Sequence, residues 1–132
     1  MARRFPVILL IVSLLAGWSG DMKTDNPEIY ESFRRKFPAI AEVPQIDDGT
    51  GPGLSFETLL TVKADLALLN NWQSDTESGR RAIEYLTSIG VPVVVVDFYN
   101  DALTGTPRMM RLLGRILERE DQAEAFARLY ED

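Results

Sequence analysis

The sequence predicts an α/β fold, a three-layer αβα lobe with a small parallel sheet of three or four strands. Residues 65–69 and 92–97 are short apolar runs typical of buried strands. Residues 76–89, which lie between them, repeat apolar side chains at helical spacing, and Gly90 follows as a helix stop. A strand, a helix and a second strand in this order form a crossover unit, which pairs its strands in parallel and is almost always right-handed.

Residues 1–17 allow two interpretations, a signal-like segment or the first strand of the sheet. Arg3 and Arg4 precede an apolar run at residues 7–15, which is the pattern of a secretory signal and is too short for a transmembrane helix. The same run is rich in aliphatic and β-branched residues, so it also fits a buried strand. Trp18 stands where a lipoprotein signal would place its lipidated cysteine, so lipid anchoring is not supported.

Helix signals define the next segment. The Asn-Pro pair at residues 26–27 predicts a helix start, and Pro38 predicts its end. We expect Glu31 to pair with Arg35 one turn later, and residues 39–46 to be extended. One face of this helix is apolar and carries Ile29, Tyr30, Phe33 and Phe37.

Polar and glycine-rich stretches separate the remaining elements. Residues 49–53 are predicted to form a turn, and residues 70–75 and 98–105 are predicted to form loops. Ser55 is predicted to cap a short helix that runs to Lys63, because a serine hydroxyl satisfies the free N–H groups of a helix start.

Two helices are predicted at the end of the sequence. Thr106 and Pro107 form a cap and first-position pair, which predicts a helix over residues 107–119. A last helix over residues 122–130 is either continuous with it or broken near Asp121. Its apolar face needs a packing partner, so we expect either a missing segment or self-association through this helix. That face carries Ala123, Phe126, Ala127 and Tyr130.

Composition excludes several kinds of functional site. The chain of 132 residues is 45% hydrophobic and 26% charged, which is ordinary for one globular domain. It contains no cysteine and no histidine, so disulfides, thiolate sites and a Ser-His-Asp triad are excluded. The net charge of −6 argues against nucleic acid as the main partner. An enzyme would have to use Asp, Glu, Lys, Tyr or a cofactor, so hydrolytic chemistry is less expected.

Aromatic residues follow the predicted strands. Trp18, Trp72 and Tyr99 each come shortly after one of them. In an open parallel sheet the loops after the strands line the ligand crevice, and exposed aromatic rings there suit a planar or chelated ligand. The alternative for each ring is packing at the rim of the sheet.

Acidic residues suggest a different chemistry. Asp47, Asp48 and Asp97 could hold Mg²⁺ at the carboxyl edge of a parallel sheet, as in a small receiver-like or phosphatase-like domain. The alternative is that these residues cap loops and strand ends. Residues 49–53 are rich in glycine, but no Gly-Lys-Ser/Thr follows them, so a flexible turn is favoured over a phosphate loop.

From residue 17 onward the sequence carries short motifs in a characteristic order. They are Gly17-Trp18-Ser19-Gly20-Asp21, Asn26-Pro27-Glu28-Ile29-Tyr30, Phe37-Pro38-Ala39-Ile40, Val43-Pro44, Leu54-Ser55-Phe56-Glu57, Leu59-Leu60, Lys63-Ala64-Asp65-Leu66, Gly90-Val91-Pro92 and Leu113-Gly114. Together they resemble the N-terminal lobe of periplasmic binding proteins for iron-siderophore, haem and cobalamin uptake. These are the helical-backbone class that serves ABC transporters. The family usually has proline at the position of Ala64.

The resemblance implies an architecture. Family members have two α/β lobes joined by one long helix, and the ligand sits between the lobes. By resemblance, residues 18–121 form one substrate-binding lobe, and residues 122–132 begin the connecting helix. The second lobe is absent from the sequence, which therefore looks like a fragment of such a protein.

The resemblance also implies ligands and partners. The ligand would be a ferric chelate, haem or cobalamin, with the iron-siderophore branch favoured, and no cofactor is implied. The mechanism would be capture rather than catalysis, so the resemblance implies a protein that is not an enzyme. Ligand contacts would come from Trp18, from Asp48 and Gly49, from Trp72 and from Tyr99. Glu57 matches the acid through which the N-terminal lobe docks on arginines of the ABC permease. The location would be periplasmic or otherwise exported. The rival interpretations are the Mg²⁺-dependent domain and a degenerate interaction module without a ligand.

Overall fold

The computed structural model describes residues 15–47 and 53–131. The described elements are α1 (Asp21–Asp25), α2 (Pro27–Lys36), a 3-10 helix (Pro38–Glu42), α3 (Phe56–Thr61), β1 (Ala67–Asn70), α4 (Asn71–Ser74), α5 (Glu77–Ser88), β2 (Val93–Val96), α6 (Ala102–Ile116) and α7 (Glu120–Arg128). Helices dominate, and the two strands form a small parallel sheet, so the predicted α/β class is confirmed.

The chain divides into two compact units. Met1–Ala67 and Trp72–Val93 form the first, and Leu68–Asn71 and Val94–Asp132 form the second. Helices α1, α2, α3 and α5 belong to the first unit. The second unit contains most of both strands together with α6 and α7.

The first unit has an aromatic core around α2. Tyr30, Phe37 and Ile40 are buried together, and Trp18 and Phe33 pack against them. Helix α2 begins with a proline in its first turn, as predicted. It ends at Lys36 because a proline ring at residue 38 clashes with the preceding turn and supplies no N–H.

Three local predictions for this segment were wrong. Residues 38–42 form the 3-10 helix rather than extended chain, since a proline also suits the first position of such a turn. Ile29 is 49% exposed, because the core lies on the Tyr30 side of the helix. Glu31 pairs with Arg34 rather than Arg35, at 2.8 Å, because the i,i+3 position also lies beside it.

The crossover unit is confirmed, with shifted boundaries. Strand β1 covers Ala67–Asn70, the helix covers Glu77–Ser88 as predicted, and Gly90 ends it with a positive φ of 80°. The Ala67 N–H donates to the Pro92 carbonyl at 3.0 Å. Residues 70–75, predicted to be a loop, contain the single turn α4.

The strands are less buried than the sequence predicts. Val96 and Leu69 are buried, but Val95 is 46% exposed and Leu68 is also exposed. Among the described residues the sheet has two strands, so neither is enclosed by neighbours on both sides. The candidate strand at residues 7–15 falls outside the described residues except for Leu15, which has no regular structure.

The second unit ends in a helical hairpin. Helix α6 begins at Ala102 rather than at residue 107, because Asp101 caps it by accepting from the Thr104 N–H. Pro107 therefore lies inside the helix. The break before α7 contains Glu118 in the left-handed region, with a φ of 54°.

The helices of this hairpin approach closely. A Cβ atom on Gly114 of α6 would lie 2.3 Å from the Cβ of Ala123 on α7. Ala123 and Ala127 are buried, so part of the apolar face predicted for the last helix is packed. The rings of Phe126 and Tyr130 are tilted against each other with centroids 5.5 Å apart, and both residues remain partly exposed.

Candidate functional site

Glu57 lies on a short helix with a well-formed start. It is exposed in the first turn of α3, which begins at Phe56 directly after the cap residue Ser55. The Ser55 Oγ accepts from the Thr58 N–H at 3.2 Å and lies 2.9 Å from the Thr58 hydroxyl. A carboxylate is favoured at this end of a helix because the free N–H groups make it electropositive. Within residues 15–47 and 53–131, Glu57 forms no ion pair.

An aromatic pair holds α3 against α5. The Phe56 ring meets the Tyr85 ring edge-on, with centroids 5.2 Å apart, and the Arg81 guanidinium lies 5.5 Å from the Phe56 centroid. Leu59 is buried on the same helix. The Leu54 N–H donates to the Ser78 hydroxyl at 3.4 Å. These contacts fix α3 and leave Glu57 on the exposed side.

Backbone hydrogen bonds join the described residues on either side of the glycine-rich segment that precedes α3. The Ser55 N–H donates to the Ile46 carbonyl at 2.7 Å, and the Ile46 N–H donates to the Trp18 carbonyl at 2.9 Å. Asp47 is buried and accepts from the Gly20 N–H at 2.7 Å. The predicted contact residues Asp48 and Gly49 lie outside the described residues.

Trp18 lies at the edge of the aromatic core. It forms a parallel bridge with Gln45, and its ring is tilted against Tyr30 with centroids 6.0 Å apart. The residue is half-buried. Its indole Nε1 is buried and has no hydrogen-bond partner within the described part of the chain.

Trp72 and Tyr99 come after β1 and β2 respectively. Trp72 lies on the single turn α4 and is 38% exposed. Tyr99 is 75% exposed, in a turn organised by Asp97. The Asp97 carboxylate accepts from the Asn100 N–H at 3.1 Å and the Tyr99 N–H at 2.9 Å. These two hydrogen bonds lower the pKa of Asp97 below its ordinary value.

Only two acids of the alternative Mg²⁺ site, Asp47 and Asp97, are among the described residues, and Asp48 lies outside them. No group of three or more acidic side chains that could hold a metal is found in residues 15–47 and 53–131. Asp97 organises the turn after β2, and Asp47 binds the Gly20 N–H. Both contacts match the alternative in which these acids cap loops.

A charge network in the hairpin was missed by the sequence interpretation. Arg111 on α6 binds Glu124 at 2.7 Å and Glu131 at 2.7 Å, and Arg128 also reaches Glu124 at 3.2 Å. Hydrogen bonds from Arg111 and then Arg128 lower the pKa of Glu124 to about 2. The sequence left open whether the last helix is continuous with the preceding one or broken near Asp121. The broken form folds back as a hairpin, and that arrangement is the signal that could have predicted these ion pairs.

In residues 15–47 and 53–131, none of the helices is both long enough and apolar enough to cross a bilayer.

Comparisons with known proteins support the fold. No protein-family profile matches the sequence, and no curated protein matches it. Among solved structures, the crystal structure of the TroA-like periplasmic binding protein FepB from Veillonella parvula matches with a TM-score of 0.68 and 14% sequence identity. The match covers 92% of this chain and 37% of that chain. The fold is therefore that of part of a TroA-like binding protein, and the matched neighbour is a binding protein rather than an enzyme.

Proposed function

We propose that this chain is the N-terminal lobe of the substrate-binding component of an ABC uptake system for iron-siderophore complexes. The observation that carries the proposal is the structural match, since nearly all of the chain corresponds to part of a protein named as a periplasmic binding protein. The ordered motifs from Trp18 to Gly114 support the same class. The protein would act by capture and delivery, without chemistry on its ligand.

The proposed capture needs two lobes. The chain corresponds to 37% of the matched protein, so in this proposal polypeptide outside these 132 residues supplies the second lobe. The proposed role of residues 122–132 is to begin the connection between the lobes. The proposed location is the periplasm or another exported compartment, where such a component meets its permease.

Exposed aromatic rings support the proposed ligand contacts. Tyr99 and Trp72 present much of their surface to solvent, and each follows a strand of the parallel sheet. Trp18 is assigned a smaller contact, since much of its ring packs against Tyr30. Asp48 and Gly49 complete the proposed set.

Glu57 is the proposed docking residue for the permease. Its carboxylate is exposed and without an ion pair in the described parts of the chain, while α3 is fixed by a cap and by an aromatic contact. A fixed, unpaired carboxylate suits recognition by arginines on a partner surface, because guanidinium groups bind carboxylates with two parallel hydrogen bonds.

Ligand titration of the protein with its second lobe tests the capture step. The chain contains two tryptophans, so chelate binding should quench its fluorescence in a saturable way. We expect iron(III)-loaded trihydroxamate siderophores to bind and the iron-free chelators to bind much more weakly. Tyr99→Ala should raise Kd by about tenfold, as expected for loss of a stacking contact. Leu103→Ala is the control, because Leu103 is 74% exposed but has no proposed ligand role.

A matched pair of variants tests the docking step. Glu57→Lys should abolish binding to the proposed ABC permease partner and leave the chelate Kd unchanged. Glu77→Lys is the control, because Glu77 is also an exposed acid in the first turn of a helix capped by a hydroxyl. Equal loss of permease binding in both variants would show that general charge, rather than Glu57, drives the contact.

A further inference from the structure

Arg81 on α5 is an exposed cation that the fold does not use for an ion pair. Glu77 and Glu84 lie four residues before it and three residues after it, at spacings that allow ion pairs along a helix. Within residues 15–47 and 53–131, however, Arg81 forms no ion pair with these or other acids. Its charge is therefore available to a group outside the described chain.

An aromatic ring holds the Arg81 guanidinium. The guanidinium carbon lies 5.5 Å from the centroid of the Phe56 ring, and the same ring meets Tyr85 edge-on. A cation is attracted to the face of a ring, but this contact occupies no hydrogen-bond acceptor. The contact therefore positions the guanidinium while its N–H groups stay available to bind a carboxylate.

Glu57 belongs to the same unit and follows directly on the ring that Arg81 contacts. Phe56 and Glu57 are consecutive residues of α3, and both α3 and α5 lie in the first unit. Arg81 lies in the second turn of α5, beyond the first turn that Thr76 caps. The contact between α3 and α5 therefore carries one exposed acid and one exposed cation, which do not pair with each other.

We infer that Arg81 is a second docking residue, and that the permease surface that meets Glu57 also presents a carboxylate to Arg81. The inference rests on the proposed function and names the chemistry of the partner surface. Two opposite charges at fixed positions match a complementary surface in one orientation and meet like charges in the reverse one. A lone acid would supply attraction without this choice of orientation.

Permease binding by charge variants tests the inference. The intact protein with its second lobe is titrated against the proposed ABC permease partner. Arg81→Gln should raise Kd by about tenfold or more, as expected for loss of a hydrogen bond between charged groups. Arg80→Gln is the matched control and should leave Kd unchanged. It removes the same charge from the next residue of α5, where the guanidinium donates to the Asp75 carbonyl.

The direction of the change separates the inference from the proposed function. A partner surface made only of cations would repel Arg81, so Arg81→Gln would then tighten binding or leave it unchanged. That result, together with loss of binding in Glu57→Lys, would overturn the inference and leave docking through Glu57 standing. Failure of the unsubstituted protein to bind the permease would overturn both.

Two further variants separate charge from packing. Arg81→Met keeps an unbranched side chain that packs against the Phe56 ring but carries no charge. It should weaken permease binding as much as Arg81→Gln does, and urea unfolding should show that its stability is retained. Arg81→Lys keeps the charge without the planar fork and should give an intermediate Kd. Full binding by Arg81→Met would mean that Arg81 only holds α3 in place, which would overturn the inference.

Discussion

Two helix contacts in this protein are built in different ways. In the first unit, α3 and α5 meet through the rings of Phe56 and Tyr85, and a hydroxyl caps each helix start. In the second unit, α6 and α7 meet at Gly114 and are joined by the ion pairs of Arg111. The first contact uses packing and caps, whereas the second adds a charge network.

The difference bears on which acids are available to a partner. Glu124 and Glu131 of the hairpin are engaged by arginines, and their pKa values are lowered accordingly. Among residues 15–47 and 53–131, Glu57 forms no ion pair, and the contacts that hold α3 are a cap and an aromatic pair. The first contact therefore holds α3 in place and leaves the Glu57 carboxylate exposed, which is what the proposed docking role requires.

The largest effect is expected from Gly79→Ala in the first unit. A Cβ atom at Gly79 would lie 1.9 Å from the Gln73 carbonyl oxygen, and a backbone atom cannot move aside without moving its element. We expect the free energy of unfolding to fall by about 3 kcal/mol or more, as for severe overpacking. Urea unfolding followed by circular dichroism measures this change.

The control for this variant is Gly105→Ala in α6. A Cβ atom there would meet its nearest neighbour, the Asp101 Cβ, at an ordinary contact distance of 3.4 Å. Alanine is the better helix former, so this variant should be neutral or stabilising by up to about 1 kcal/mol. Stabilisation by Gly79→Ala as well would contradict the close contact with Gln73.

Gly114→Ala should disturb the contact between α6 and α7 and lower the free energy of unfolding by less than Gly79→Ala does. Its new Cβ would meet the Ala123 Cβ, a side-chain atom that a second substitution can remove. We expect a loss of about 2 kcal/mol, within the usual range for overpacking. The double variant with Ala123→Gly should recover part of the loss, so a double-mutant cycle should give a favourable coupling energy. Additive losses would show that the two residues do not meet.

A still smaller effect is expected from removing the cap of α3. Ser55→Ala should cost about 1 kcal/mol, because the Thr58 N–H loses its acceptor. Ser55→Asp keeps an acceptor and is the matched control. If α3 positions Glu57 for docking, Ser55→Ala should also weaken permease binding, whereas Thr76→Ala, which uncaps α5, should affect stability alone.

Patterns of local sequence predicted the crossover unit well. The helical repeat of residues 76–89, the stop at Gly90 and the cap at Ser55 are each decided within a few residues, and the structure contains all three. The resemblance to binding proteins also anticipated the structural match. The proposed roles of Glu57, Trp72 and Tyr99 remain predictions.

The errors arose where tertiary contacts or competing caps decide the structure. Pro107 is a favourable first residue, but Asp101 offers an earlier cap, so α6 begins five residues sooner than predicted. The valine run of β2 suggests full burial, but burial depends on the strands that lie beside it. The Arg111 network depends on the packing of α7 against α6, which no local pattern specifies.

The smallest expected effect concerns how the stability of the helical hairpin depends on pH. Glu124 has an ordinary pKa of 4.5, which falls to about 2 in the folded protein, mainly through Arg111. Its contribution to stability is therefore present above pH 4.5 and is lost as pH falls towards about 2, because the unfolded chain takes up the proton first.

Arg111→Gln should flatten the decline in the free energy of unfolding over this interval. Arg115→Gln, which removes a charge from the same helix outside the network, should not. Parallel curves for the two variants would mean that the network of Arg111 does not stabilise the hairpin in solution.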